Sequence, residues 1–506
     1  MRPDPDRPAP RLRARSAVLL AACAGACAPP AAAPDVLLIS IDSLRADHVG
    51  AYGYQSPTRP DLSTTPNLDR LVAAQGVLFE QAISTTSWTL PAHVSLLSGL
   101  CDQNHGVRDL PQRIPADVAL LPEHFAAAGY RTFGAWSGPN LHPYFGFDRG
   151  FGTYADCSQG FGSAADTLAG ADPAALRELQ TASHRTVTGP LLVAAFEREL
   201  GALAPDQPWF GFLHFWDVHY DYLPPAEHDL FHPGYLGPPL GLDFHRLSDS
   251  PPSDAERLRW LSLYDAEIHA TDEHIERLLA AWAAAQRERG LLLAVCADHG
   301  EEFGEHLRYG HRWTLFEEVL RVPLLLRFDG VLPAGLRIKD LVSLTDVAPT
   351  LLALAGVAAE APAMDGQDLT ALIRGERAGA RELGIELSLG AFGLTQLGLR
   401  TEGFKYTEDH PSGRRSLYDL RSDPGEQGPS HPPRLGSGRP DTDPRAALGA
   451  RFVAALEAHG LELAEARASA GPGPLPESLR SALEAAGYLA PADSAEPAGE
   501  LPPQQD

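Results

Sequence analysis

Lysine is almost missing from this 506-residue chain: Lys339 and Lys405 are the only two. Arginine therefore carries nearly all the positive charge, and the formal net charge is −25. A general nucleic-acid binder needs the opposite sign to neutralise phosphates, so no nucleic-acid partner is expected. Neither lysine falls in the segments that carry chemistry, so no ammonium group is available there to meet an anion. Cysteine is scarce as well. Of the five, Cys23 and Cys27 sit in the first thirty residues, which leaves Cys101, Cys157 and Cys296. Three scattered cysteines make neither a disulfide framework nor a zinc–thiolate site. A Cys101–Cys157 bridge is the pairing left open.

The first segment reads as a targeting sequence. Arg11, Arg13 and Arg15 form a positive region, and the apolar run Ser16–Ala22 is too short to span a bilayer. Leu20-Ala21-Ala22-Cys23 resembles a bacterial lipoprotein signal with Cys23 as the lipidated residue. The alternative is an ordinary cleaved secretory peptide. Export to the cell envelope, with membrane association through a lipid at Cys23, is the expectation.

The length suggests one large domain and a smaller one. Residues 35–41 (DVLLISI) form an apolar run that ends at Asp42, as a buried parallel strand would. Similar strands are expected at 130–136, 209–215, 291–297 and 322–328. Helices are expected at 121–128 and 254–286, and a short one opens at Thr65-Pro66. This alternation argues a doubly wound α/β sheet. After about residue 375 the texture changes to short strands at 384–389, 393–399, 404–407 and 416–420, a small antiparallel subdomain. The expected division is a leader at 1–34, a catalytic domain at 35–375, the antiparallel subdomain at 376–430, and loop, short helices and a low-complexity tail at 431–506.

Ligands in open α/β sheets sit beyond the carboxyl ends of strands. Asp42 follows the first strand directly, and Asp298-His299 follows LLLAVCA. One aspartate at a strand end is ordinarily a turn cap; two such ends, one with an adjacent histidine, point to a metal. Thr89 precedes Pro91 and should start a helix, where free N–H groups favour an anion. Asp42, Thr89, Asp298 and His299 are thus the candidate ligands of one divalent ion. The mixed oxygen and imidazole donors favour Mn²⁺ or Zn²⁺, with Ca²⁺ as the alternative. Thr89, His93, His219 and His311 are the candidate catalytic residues. His214, inside a strand, reads as structural. A second ion built from Asp217, His219 or Asp221 with His311 is a lesser expectation.

The chain resembles the sulfatase family within the alkaline-phosphatase-like superfamily. The resemblance runs from Asp35 to Glu426 and rests on DSLRADHVGAYGY, TTPNLDRLVAAQGVLFEQAIS, TLPAHVSLLSG, GFDRGF, HFWDVHYDY, ADHGEEFGEH and LYDLRSDPGE in combination. It implies an alkaline-phosphatase/sulfatase-like αβα sandwich with a small C-terminal subdomain containing a short antiparallel sheet. It also implies a divalent cation at Asp42, Asp298 and His299, the nucleophile position at Thr89, and substrate contacts at His219 and His311. The departures are Thr89, whose Cβ methyl prevents conversion to formylglycine, His93 where the family has arginine, and Asp42-Ser43 where it has an acidic pair. From these departures the expected activity is metal-dependent hydrolysis, or transfer, of phosphoesters or phosphodiesters with Thr89 as nucleophile. The alternatives are a sulfate-ester hydrolase working without formylglycine, and a non-catalytic binding protein on the same scaffold. The expected substrate is a small-molecule or lipid- or glycan-linked anionic ester.

Overall fold

The computed structural model describes residues 33–158, 188–220, 222, 224–231, 252–359, 363–376, 379–390, 393–410, 412–429, 454, 475–485 and 489. The leader with Cys23 and Cys27, the candidate ligand Asp221 and the tail after 490 lie outside them.

The apolar runs of the sequence become the centre of a nine-stranded sheet. Its strands are β1 (Asp35–Ile41), β2 (Val77–Ile83), β3 (Arg131–Trp136), β4 (Thr153–Asp156), β5 (Trp209–Phe215) and β6 (Leu291–Ala297). Past the two-residue hairpin strands β7 (Glu302–Phe303) and β8 (Tyr309–Gly310) come β9 (Arg321–Val322), β10 (Leu324–Phe328) and β11 (Leu336–Ser343). The order is β11-β2-β10-β6-β1-β5-β3-β4, with β9 on β2. Along this path only β10 runs against its neighbours. Every residue of β1, β5 and β6 is buried, which is why each reads as an unbroken apolar run.

Helices cover the sheet on both sides in an αβα sandwich. Pro66–Leu71 and Gly189–Gly201 pack on the long helix Asp254–Ala284, and Thr89–Ser98 packs on Val347–Ala355. Ser253 starts the long helix with a capping box: its hydroxyl accepts from Glu256 N–H while the Glu256 carboxylate accepts from Ser253 N–H. Among the described residues no helix is long and apolar enough to cross a membrane.

A separate antiparallel sheet follows: β12 (Leu383–Leu389), β13 (Leu394–Arg400), β14 (Phe404–His410) and β15 (Arg415–Asp419), paired in chain order. It is docked through polar contacts. Glu386 N–H donates to Thr85 O at 2.9 Å, just before Thr89, and Glu386 Oε1 is 2.8 Å from Arg108 Nε. Cys101, Cys157 and Cys296 are all unbridged, so the Cys101–Cys157 pairing is not formed.

Candidate active site

Strand register builds the centre. β1 and β6 pair in parallel with Ile41 opposite Ala297, so the next residues, Asp42 and Asp298, leave the sheet side by side. Neighbouring strands lie about 4.8 Å apart, close enough for both carboxylates to reach one ion. β5 pairs with β1 on the other side, with Ile41 opposite Phe215. The chain leaving β5 carries Trp216 to Tyr220. From β2 a short link, Ser84 to Trp88, leads into the helix Thr89–Ser98, whose first residue is Thr89.

The turn after Asp42 is held in an uncommon backbone conformation. Ser43 has φ +55°, in the left-handed region, and points its N–H at Asp298 Oδ1, 3.2 Å away. Its hydroxyl donates to Asp42 Oδ1 at 2.7 Å. Tyr264, from the long helix, braces this turn: its hydroxyl donates to Ser43 O and accepts from Arg45 N–H.

Asp42, Thr89, Asp298 and His299 are all fully buried. One ligand atom each from Asp42, Asp298 and His299 lies within 4.8 Å of the others. Thr89 Oγ1 is 3.4 Å from Asp42 Oδ2 and 3.3 Å from His299 Nε2. The His299 ring is oriented by its own neighbour, with Nδ1 2.9 Å from Gly300 O. A carbonyl only accepts, so Nδ1 carries the proton and Nε2 turns its lone pair toward the carboxylates. Asp298 Oδ1 accepts from Ser43 N–H and His299 N–H, whereas Oδ2 has no hydrogen-bond partner. Burial pushes the Asp42 carboxyl up to about 6, although His299, Ser43 and Thr89 pull it down. Two buried acids, an orphaned carboxylate oxygen and an inward lone pair fit a divalent cation as donors.

The remaining sequence candidates fall around this centre. His93 has both ring nitrogens engaged, Nδ1 with Thr89 O and Nε2 with Ser40 Oγ, each at 2.9 Å. Burial, with His214 adding to it, pushes its imidazole down to about 3, so the ring is neutral. His311 Nδ1 lies 3.0 Å from Glu301 Oε1, and its ring is 4.4 Å from that of His299 and 4.9 Å from that of His219. His219 stacks on Trp216 with ring centroids 3.7 Å apart.

The structure adds a contact for His214, corrects Asp217 and brings in one residue the sequence reading passed over. His214 is not merely a strand residue: Nε2 lies 3.4 Å from Asp42 Oδ2, and the ring is 4.5 Å from that of His93. Asp217 is no metal ligand, because its oxygens accept from Thr188 N–H, Thr188 Oγ1 and Gly189 N–H at the start of the helix Gly189–Gly201. That takes Asp217 out of the expected second ion; Asp221, the other carboxylate offered for it, lies outside the described residues. Glu301 was overlooked. It is fully buried, accepts from Tyr222 OH at 3.0 Å, and joins the loop after β5 to His311. Its position two residues after His299 was the available signal.

Gly300 is a further constraint. A Cβ there would stand 2.0 Å from the Glu318 carbonyl oxygen, a backbone atom that cannot swing aside. Gly300→Ala is therefore expected to cost about 1–3 kcal/mol by overpacking. By displacing His299 it should also lower turnover about a hundredfold. Urea unfolding and steady-state kinetics on the variant check both effects; unchanged kinetics would contradict the packing argument.

Residues 34–357 match the sulfatase family profile, and residues 304–429 match the C-terminal domain of N-sulphoglucosamine sulphohydrolase. A sulfatase of Formosa agariphila is 24% identical over 439 residues, covering 78% of this chain and 82% of that protein. Arylsulfatase A of Bos taurus is 29% identical over 398 residues, covering 70% of each. A solved structure in complex with its substrate D-glucosamine-2-N,6-O-disulfate superposes with a TM-score of 0.65 at 16% identity, covering 85% of this chain and 97% of that one. These matches overturn the phosphoester and phosphodiester reading, with Thr89 as nucleophile, in favour of sulfate-ester hydrolysis. That reading gave one altered position too much weight, since a metal centre of this kind can act on sulfur or phosphorus alike. The chain belongs to the sulfatase family of the alkaline-phosphatase-like superfamily, a family of hydrolases.

Proposed function

We propose that this chain hydrolyses sulfate esters, carried on a sugar or an aryl alcohol, without a formylglycine aldehyde. The observation that supports it is the meeting of Asp42, Asp298 and His299 with the Thr89 hydroxyl, in a chain of sulfatase lineage. Asp42, Asp298 and His299 would hold one divalent ion, which supplies Lewis acidity toward the sulfate oxygens. Mn²⁺ or Zn²⁺ suits a shell containing an imidazole. Thr89, steadied by Asp42 and His299, orients the sulfate and the attacking water. His93 is a positioning residue: it grips the Thr89 carbonyl and Ser40, and with both ring nitrogens engaged it does not exchange protons.

Water attacks sulfur and the ester O–S bond breaks. His311, carried on Glu301, or His219 beside it, gives a proton to the departing alkoxide. The water oxygen ends on sulfate, and its two protons are shed, one restoring the donor histidine and the other passing to solvent.

A panel of matched aryl sulfate, phosphate, phosphodiester and phosphonate esters tests this, together with mass spectrometry of the peptide containing Thr89. The expected result is a kcat/KM highest for the sulfate ester and an unmodified Thr89 mass. A phosphorus ester outpacing the sulfate by about tenfold or more, 1.4 kcal/mol in barrier, would overturn the reading.

A further inference from the structure

A second group of ligand-type side chains follows immediately after the strand-end centre. Glu302 opens β7, His306 lies in the loop to β8, and Glu318 is on the helix Glu317–Leu320. One ligand atom from each lies within 4.8 Å of the others. His306 Nδ1 is 2.5 Å from Glu318 Oε1, and the ring stacks on Phe316 with centroids 3.5 Å apart, which fixes its direction. On the far side of the ring, Gln427 Nε2 is 3.3 Å from His306 Nε2.

Glu302 is the telling member. It is fully buried, and neither carboxylate oxygen has a partner in ordinary hydrogen-bond geometry. Glu318 and Glu305 add negative charge beside it, and the Thr314 hydroxyl and Arg308 counter them only in part. A buried, unpartnered carboxylate is expensive, and native interiors rarely keep one without a compensating group. Here the orphaned carboxylate faces an imidazole and a second carboxylate.

We propose that Glu302, His306 and Glu318 form a second divalent-cation site, separate from Asp42–Asp298–His299. One imidazole with two carboxylates is a donor set for Zn²⁺ or Mn²⁺. The ion takes the place of the proton between His306 and Glu318, and that proton leaves to solvent. Its place in the fold indicates what it does. Gly300 N–H donates to Val319 O, and Glu301 N–H donates to Glu318 O. The site thus clamps the segment after His299 to the helix whose first residue, Glu317, docks the C-terminal sheet through Arg400 and Lys405.

The test uses the full chain, stripped with a chelator, reloaded with Zn²⁺, desalted and counted by inductively coupled plasma mass spectrometry. Glu302→Gln should carry one ion per chain fewer than wild type and show a smaller Zn²⁺-dependent rise in Tm. Asp298→Asn should also lose one ion but keep the part of that rise that comes from this site. A Glu302→Gln variant with the wild-type ion count overturns the proposal. Should Glu302→Gln fail to fold, His306→Asn, on the partly exposed edge of the cluster, is counted in its place: one ion fewer supports the site, and the wild-type number overturns it. An Asp298→Asn protein that keeps the full count while Glu302→Gln loses one ion counts against the strand-end metal and supports this site.

Discussion

Asp298→Asn is expected to lower turnover of an aryl sulfate about a thousandfold or more while leaving the fold in place. The two oxygens of Asp298 do different work. Oδ1 accepts from Ser43 N–H and His299 N–H, bonds that an asparagine oxygen preserves. Oδ2 makes no hydrogen bond and lies 3.4 Å from His299 Nε2, so it faces the ligand cluster. An amide NH₂ in its place is a donor aimed at a cation. Losing the charge stabilisation that a metal gives a transition state removes several kcal/mol, and about 4 kcal/mol is a factor near a thousand in rate. Metal content by elemental analysis should fall in parallel, while circular dichroism stays as in the wild type. Asp217→Asn is the contrasting change. Its carboxylate caps the helix Gly189–Gly201, so stability should fall by about 0.5–2 kcal/mol with kcat preserved. An Asp298→Asn enzyme with normal metal and normal turnover would end the site assignment.

The sequence made the strand ends readable because β1, β5 and β6 are buried on both faces and so carry no polar interruption. A polar residue directly after such a run stands out. Register was not readable: nothing local says that Ile41 pairs with Ala297, and that pairing is what brings Asp42 beside Asp298. β2 and β11 were missed because VLFEQAI and LRIKDLVS carry charged or amide residues on half-exposed positions, which blurs the apolar run. His214 shows a related ambiguity. Inside an apolar strand a histidine looks like core, yet one residue from the carboxyl end it reaches Asp42. Glu301 escaped because its partners, Tyr222 and His311, are 79 and 10 residues away. The chemistry was less legible than the geometry. A threonine at position 89 does not choose between sulfur and phosphorus, and the lineage of the whole chain weighs more than that one position.

Lys405→Met is expected to destabilise the protein by about 3–5 kcal/mol, a large effect for a residue so far from the strand-end centre. Lys405 is one of only two lysines in the chain, and it is completely buried. Its Nζ donates to Leu315 O at 2.6 Å and lies 2.6 Å from Glu426 Oε1 and 3.5 Å from Glu317 Oε1. Arg400 holds Glu317 from the other side, Nε to Oε1 at 2.9 Å. Removing the ammonium leaves a carbonyl and a buried Glu426 carboxylate without their cation, and breaking one side of a buried pair costs more than the pair contributes. Adding Glu426→Met to Lys405→Met should therefore recover part of the loss. The denaturation midpoints of the single and double variants measure this, and a single variant as stable as wild type would refute it. The same network sets an acid limit. Burial pushes the Glu317 carboxyl up, but Lys405 and Arg400 outweigh it and hold it near 2, below the ordinary 4.5. A depressed carboxyl stabilises fully above its unfolded value, so this contribution is intact above pH 4.5 and is lost as pH falls toward 2. Burial and the charge of Glu317 push Glu426 up to about 7, although Lys405 pulls it down. Its contribution has the opposite sign, present below 4.5 and lost as pH rises to 7. In Lys405→Met, Glu317 keeps Arg400 and the charge of Arg321 but loses the largest of its cationic influences, so its acid-side slope should flatten, a signature that loss of packing alone would not produce.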